Sequence, residues 1–226
     1  EKYPITMNKK IISSCIDHTL LKPDVSFSQI NQLCQEARKY DFHSVCVNPS
    51  LIKETTKHLK STPVKICSVV GFPLGANLST SKLMEIETCL NIGANEIDMV
   101  MNIGLFKDGK LKIVSKELKE SKQLTGNNIL KIIIETSLLT KEEIITASKM
   151  VETSGADFIK TSTGFSSAGA TTENVLLIRN SVGPEILIKA SGGIKSLSQA
   201  QAMLDAGASR IGTSSGVRIM KEISLI

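Results

Sequence analysis

Two lysines each end an apolar, β-branched run and lead straight into a glycine-bearing turn: Asp157-Phe158-Ile159-Lys160-Thr161-Ser162-Thr163-Gly164 and Ile186-Leu187-Ile188-Lys189-Ala190-Ser191-Gly192-Gly193. Burying an ammonium group costs several kcal/mol or drives it toward its neutral form, so a chain that does this twice has a use for the charge. A neutral lysine is a nucleophile, and with a carbonyl compound it forms a Schiff base. At the ordinary pKa of ~10.4 only about one lysine in 2,500 is neutral at pH 7. A second ammonium nearby and partial desolvation both disfavour protonation, and can bring such a group to a pKa of ~7 to 8. Spacing alone leaves open which lysine is the nucleophile and which is its neighbour.

Charges elsewhere in strand-like runs follow the same logic, because strands buried on both faces should read as continuous apolar segments. The side-chain period of two pairs Glu96 with Asp98, Lys131 with Glu135, Phe158 with Lys160 and Leu187 with Lys189. Glu96, Lys131 and Glu135 read as an ion-pair network filling the interior. Asp98, Lys160 and Lys189 lie nearer the C-terminal strand ends and read as the catalytic set. Asp98 is then expected to keep the second lysine charged and to help move protons.

Anion binding is expected beside these groups. Gly164 follows Lys160, Gly192 and Gly193 follow Lys189, and Gly212-Thr213-Ser214-Ser215-Gly216 follows the last strand and opens a final helix. Unhindered backbone N–H groups and a helix N-terminus suit a phosphate. Metal chemistry has little support, since His18, His43 and His58 form no metal-ligand spacing. No metal and no cofactor is therefore expected. Asp17-His18-Thr19-Leu20-Leu21-Lys22-Pro23 reads as a polar cluster at the mouth or as a structural pair, and Cys46 reads as inward-facing packing.

The elements that must position these groups are short β-branched runs alternating with amphipathic stretches. Strands are expected at 11–17, 44–47, 65–70, 96–101, 130–135, 157–161, 186–190 and 210–213, the count of a (β/α)8 TIM barrel. Helices are expected at about 80–92, 111–124, 172–180 and 196–206. Two more begin behind Ser26 as N-cap and at the capping box of Thr140 and Glu143, the latter ending at Gly155. Gly93-Ala94, Gly155-Ala156 and Gly207-Ala208 each join a helix to a strand and set Asp98, Lys160 and Gly212 at the same offset. Such barrels hold their active sites at the C-terminal mouth.

At 226 residues, 41% hydrophobic and 22% charged, the chain is expected to be one soluble globular domain spanning 1–226. No apolar run reaches the ~18 residues of a membrane span, and residues 1–10 lack the apolar core of a secretory signal. With glutamate first, either Met7 reads as the native start behind a short remnant or the chain reads as incomplete. Five widely spaced cysteines (Cys15, Cys34, Cys46, Cys67, Cys89) read as reduced thiols in the cytoplasm. The net charge of +5 is spread among interleaved acids, which argues against nucleic acid and suits a small phosphorylated molecule.

Taken in order, several segments resemble the deoxyribose-phosphate aldolase family. They are Asp17-His18-Thr19-Leu20-Leu21-Lys22-Pro23, Ser44-Val45-Cys46-Val47-Asn48-Pro49, Val70-Gly71-Phe72-Pro73-Leu74-Gly75, Glu96-Ile97-Asp98-Met99-Val100 and Ile133-Ile134-Glu135-Thr136, followed by both lysine segments and the closing Gly-Thr-Ser-Ser-Gly. The resemblance covers nearly the whole chain. It implies reversible cleavage of 2-deoxy-D-ribose 5-phosphate to D-glyceraldehyde 3-phosphate and acetaldehyde, in deoxyribose phosphate catabolism. It also implies Lys160 as the Schiff-base lysine, Lys189 as the lysine that tunes it and Asp98 as the carboxylate of the proton relay. Gly164, Gly192, Gly193, Gly212, Ser214 and Ser215 match the phosphate-holding turns, and a homo-oligomer, with a dimer favoured, is implied. Phe165 stands where some members carry a lysine, and the sequence ends at Ile226 where some carry a longer tail ending in tyrosine. The competing enzyme class is a phosphosugar isomerase or epimerase on the same barrel, exchanging protons through Asp98 and Lys189 with no covalent step.

Overall fold

The computed structural model describes residues 9–225, so the question raised by Met7 and the residues before it lies outside the described residues. Eight parallel strands close into a barrel in chain order. They are β1 (Ile16–Leu20), β2 (Ser44–Val47), β3 (Lys65–Val70), β4 (Glu96–Val100), β5 (Ile129–Ile133), β6 (Phe158–Lys160), β7 (Leu187–Ser191) and β8 (Arg210–Thr213). The helices are α1 (Lys9–Ser14), α2 (Phe27–Tyr40), α3 (Ile52–Leu59), α4 (Ser79–Asn91), α5 (Ile103–Lys107), α6 (Leu111–Thr125), α7 (Lys141–Ser154), α8 (Thr172–Ser181), α9 (Leu197–Asp205) and α10 (Gly216–Ile223). Among the described residues, no helix is long and apolar enough to cross a membrane.

Strand phase divides the molecule into two layers. Val45, Ile97, Ile132, Ile159, Ile188 and Ile211 point outward and pack with helix residues such as Ile30, Leu118 and Ile144 in the main apolar core. The alternate positions point inward, and they carry Asp17, Glu96, Asp98, Lys131, Lys160, Lys189 and Arg210, all buried. The apolar core is therefore a sleeve between sheet and helices, wrapped around a charged centre.

Local signals fix the helix ends. Ser26 and Gln29 form the capping box of α2, and Thr140 and Glu143 that of α7. All three Gly-Ala joints take the same form: Gly93, Gly155 and Gly207 have φ of 118°, 81° and 107°, and the alanine after each is buried. Those backbone angles favour glycine, so the repeat reflects equivalent turns that deliver β4, β6 and β8.

Two expected strands are corrected. Residues 11–17 divide into α1 and β1, because Ile11 is 39% exposed and a strand in this sheet must be covered on both faces. The run expected at 130–135 stops at Ile133, and Glu135 leaves the ladder at φ 52°.

Candidate active site

Register brings the charged residues together. Lys160 lies beside Lys189, Lys189 beside Arg210, Asp98 beside Lys131, and Asp17 beside both Ser44 and Gly212. Asp98 is the hub. Its Oδ2 accepts from Lys160 Nζ at 2.8 Å and Lys189 Nζ at 2.7 Å, while Oδ1 accepts from Lys131 Nζ at 2.9 Å and the Cys67 thiol at 3.1 Å. Lys189 is also paired with Asp17 Oδ2 at 2.6 Å. Asp17 Oδ1 accepts from Arg210 at 2.8 Å and Ser44 at 2.7 Å. Glu96 pairs with Lys131 at 2.5 Å and Arg210 at 3.2 Å, and lies 2.9 Å from His43.

Burial and charge oppose one another throughout this cluster, and charge prevails. Desolvation pushes Asp98 up, but Lys131, Lys160 and Lys189 hold it well below the usual carboxylate range. Glu96 is raised by burial and lowered further by Lys131, His43 and Arg210, to about 2. Burial favours a neutral Lys189, yet Asp17 and Asp98 outweigh it and hold the ammonium above the ordinary lysine range. Lys189 is thus a fixed cation. Glycine at position 212 makes room for it, since a Cβ there would stand 2.9 Å from Lys189 Cε.

A cavity of about 290 Å³ opens at the C-terminal ends of β6, β7 and β8, and Lys160 reaches it. Lys189, Asp98 and Lys131 do not line it. Of the residues expected to hold phosphate, Gly164, Gly192, Gly193, Gly212 and Ser214 line the cavity. Gly169 and Gly192 pack backbone on backbone, and a Cβ on Gly169 would come within 2.1 Å of the Gly192 carbonyl oxygen. Ser215 lies elsewhere: its N–H donates to Thr213 Oγ1 at 2.9 Å, and it faces an outer groove with His18 and Arg218. The Thr213 hydroxyl, itself donating to Ile194 O at 2.6 Å, draws the chain back and turns Ser215 away from the cavity.

A family model described as DeoC/LacD family aldolase matches residues 11–222. The chain belongs to this aldolase family. It is 52% identical over 205 residues to a deoxyribose-phosphate aldolase of Brevibacillus brevis, covering 91% of this chain and 93% of the relative. A deoxyribose-phosphate aldolase of Streptococcus equi subsp. zooepidemicus is 51% identical over 210 residues, covering 93% of this chain and 96% of the relative. Among solved structures, a putative deoxyribose-phosphate aldolase from Coccidioides immitis superposes with a TM-score of 0.92 at 37% identity, covering 95% of this chain and 87% of that one.

In this aldolase, sequence phase correctly assigns Glu96 and Lys131 to an interior ion-pair network and misassigns Glu135. Glu135 accepts instead from Thr163, through N–H at 3.1 Å and Oγ–H at 2.5 Å. The Asp17-His18 segment splits by alternation: Asp17 enters the cluster, while His18 points outward to Glu36 at 2.7 Å. Thr19 to Lys22 line the cavity, so the later part of the segment does reach the mouth. Cys46 packs inside with Leu21, Cys67 and Val69. Phe165 makes an edge-on contact with Phe72, ring centroids 5.2 Å apart. Sequence reasoning passed over Asp17 and Arg210 as network members, although both are charges inside strands, the signal that found Asp98. It also passed over exposed Lys195 at the cavity, two residues beyond Gly193.

Proposed function

We propose that this aldolase reversibly cleaves 2-deoxy-D-ribose 5-phosphate to D-glyceraldehyde 3-phosphate and acetaldehyde, with Lys160 as the Schiff-base nucleophile. One observation carries the assignment of Lys160. Of the three lysines on Asp98, it alone lines the cavity, while Lys131 and Lys189 are sealed beneath it. Charge balance leaves room for one neutral amine in this cluster: Lys131, Lys160, Lys189 and Arg210 face the three carboxylates Asp17, Glu96 and Asp98. Loss of one proton from the cluster leaves it neutral.

In the cleavage direction the Lys160 amine adds to the C1 aldehyde of the open-chain sugar, and loss of water gives the iminium. The C3 hydroxyl gives up its proton as the C2–C3 bond breaks, releasing the phosphorylated aldehyde and leaving an enamine on Lys160. Protonation at C2 and hydrolysis then free acetaldehyde and the amine. The shared Asp98 Oδ2, with Lys189 fixed as a cation on its far side, supplies a route for those protons. Gly164, Gly192, Gly193 and Ser214 offer backbone N–H groups to the phosphate near the N-terminus of α10, with Lys22 and Lys195 adding positive charge at the rim. The relatives named deoxyribose-phosphate aldolase support the substrate.

Incubation with acetaldehyde and borohydride, followed by peptide mass spectrometry, is expected to find an ethyl group on Lys160. A protein that turns over the sugar phosphate with no adduct would instead follow the proton-exchange chemistry of an isomerase. A homodimer in a reducing cytoplasm completes the reading; the five free thiols support the compartment, and light scattering tests the assembly. A relative from Aeropyrum pernix, 32% identical, is described as tetrameric, which is the competing outcome of that measurement.

A further inference from the structure

Glu135 occupies an unfavourable backbone position for a residue with a side chain. It follows β5 at φ 52° and ψ 69°, in the left-handed region that such residues rarely adopt. Among the described residues, Asp41 is the other non-glycine residue at positive φ, and it caps the end of α2. No α-helix ends at Glu135; a single 3-10 turn, Thr136–Leu138, begins after it, and the Glu135 side chain makes no capping bond to that turn. The kink at Glu135 instead changes the pairing of β5 with β6. The N–H of Ile134 donates to Lys160 O at 3.1 Å and that of Thr136 to Thr161 O at 2.9 Å. Donors two residues apart thus meet acceptors one residue apart, as at a β-bulge, and Glu135 is the extra residue.

The side chain reinforces that junction. Glu135 is 1% exposed, and one oxygen, Oε2, accepts both the N–H and the hydroxyl of Thr163. Thr163 Oγ1 in turn accepts the Phe165 N–H at 3.1 Å, closing the turn around Gly164. The other oxygen, Oε1, is buried and has no hydrogen-bond partner among the described residues. Glycine would suit this backbone, and an apolar residue would suit the burial. A glutamate that satisfies neither requirement is explained by what its carboxylate holds.

We propose that Glu135 is a positioning residue for the Schiff-base step. Its bulge ties the carbonyls of Lys160 and Thr161 to the segment that follows β5, and its carboxylate clamps Thr163, so that residues 160–164 meet the cavity in one fixed arrangement. The inference rests on Lys160 as the nucleophile, and acetaldehyde–borohydride labelling of the unaltered protein checks that separately.

The test compares Glu135→Gly and Glu135→Gln in the full chain, by melting temperature, by kcat and KM for deoxyribose 5-phosphate, and by the rate of borohydride trapping on Lys160. Glycine accepts φ 52° without strain, which offsets part of the cost of the two lost Thr163 hydrogen bonds, so Glu135→Gly is expected to lose much less in melting temperature than in activity. Its kcat is expected to fall on the order of 100-fold, with trapping slowed in parallel and KM little changed, as for a displaced reacting group. Glu135→Gln keeps an acceptor for Thr163 and is expected to recover to within roughly tenfold of full activity. Unchanged kcat and trapping in Glu135→Gly would overturn the proposal. So would equal losses of activity and melting temperature in both variants, which would make Glu135 a stability residue.

Discussion

Asp98 accepts three ammonium groups and a thiol, so its loss should be felt more strongly than that of any one partner. Asp98→Asn would leave four cations facing two carboxylates inside the barrel, whereas Lys189→Met would leave three facing three. Removing one partner of a buried ion pair costs about 3–5 kcal/mol because a charge is left uncompensated. Asp98→Asn is therefore expected to lose stability in that range, and Lys189→Met clearly less, as read from urea unfolding midpoints. Both are expected to lose most aldolase activity, since the proposed proton route uses both groups. Equal destabilisation by the two substitutions would show that charge balance does not organise the cluster. The sequence made the three central residues visible because each is a charge inside an apolar run. Spacing could not choose between the lysines, because their difference lies in which one the cavity reaches.

Elements were legible wherever a period or a cap was unambiguous. The strands at 44–47, 65–70 and 210–213 follow directly from short β-branched runs, and the two capping boxes set the starts of α2 and α7. Residues 11–17 and Glu135 misled for one reason: the strand-like pattern runs past the edges of the sheet, before β1 and after β5, and only burial and backbone angle mark the boundary. The sequence marked the glycine turns as a candidate anion site, but not the way they pack on one another. Gly169 belongs to the loop after β6, yet its closest neighbour is the Gly192 carbonyl after β7. Gly169→Ala must therefore part the two loops. The expected result is a KM for deoxyribose 5-phosphate raised by about tenfold or more, on the scale of one lost hydrogen bond to a charged group. Cleavage of unphosphorylated deoxyribose is expected to be little affected. A uniform loss on both substrates would assign the loops to general structure.

At the scale of the whole molecule, a charged centre inside an apolar sleeve makes stability depend on pH from both sides. Asp17, Glu96 and Asp98 all bind protons more weakly in the folded barrel than in the unfolded chain, because burial is outweighed by the cations around them. As pH falls below the ordinary glutamate value of 4.5, the unfolded chain therefore takes up protons that the folded chain refuses. Their contribution is complete above that value and declines as pH falls toward about 2, where Glu96 itself protonates. Lys131 and Lys189 behave in the opposite sense. Burial opposes their charge, but Asp98 raises Lys131, and Asp17 with Asp98 raises Lys189, above 10.5. Their contribution is complete below pH 10.5 and declines as pH rises beyond it. Urea unfolding midpoints measured across pH should thus form a plateau between the two limits, with a fall on each side. Glu96→Gln separates this origin from the surface charges: it removes one of the three carboxylates, so it should lower the plateau and flatten the acid limb together. An acid limb of unchanged slope in that variant would place the pH dependence outside the barrel.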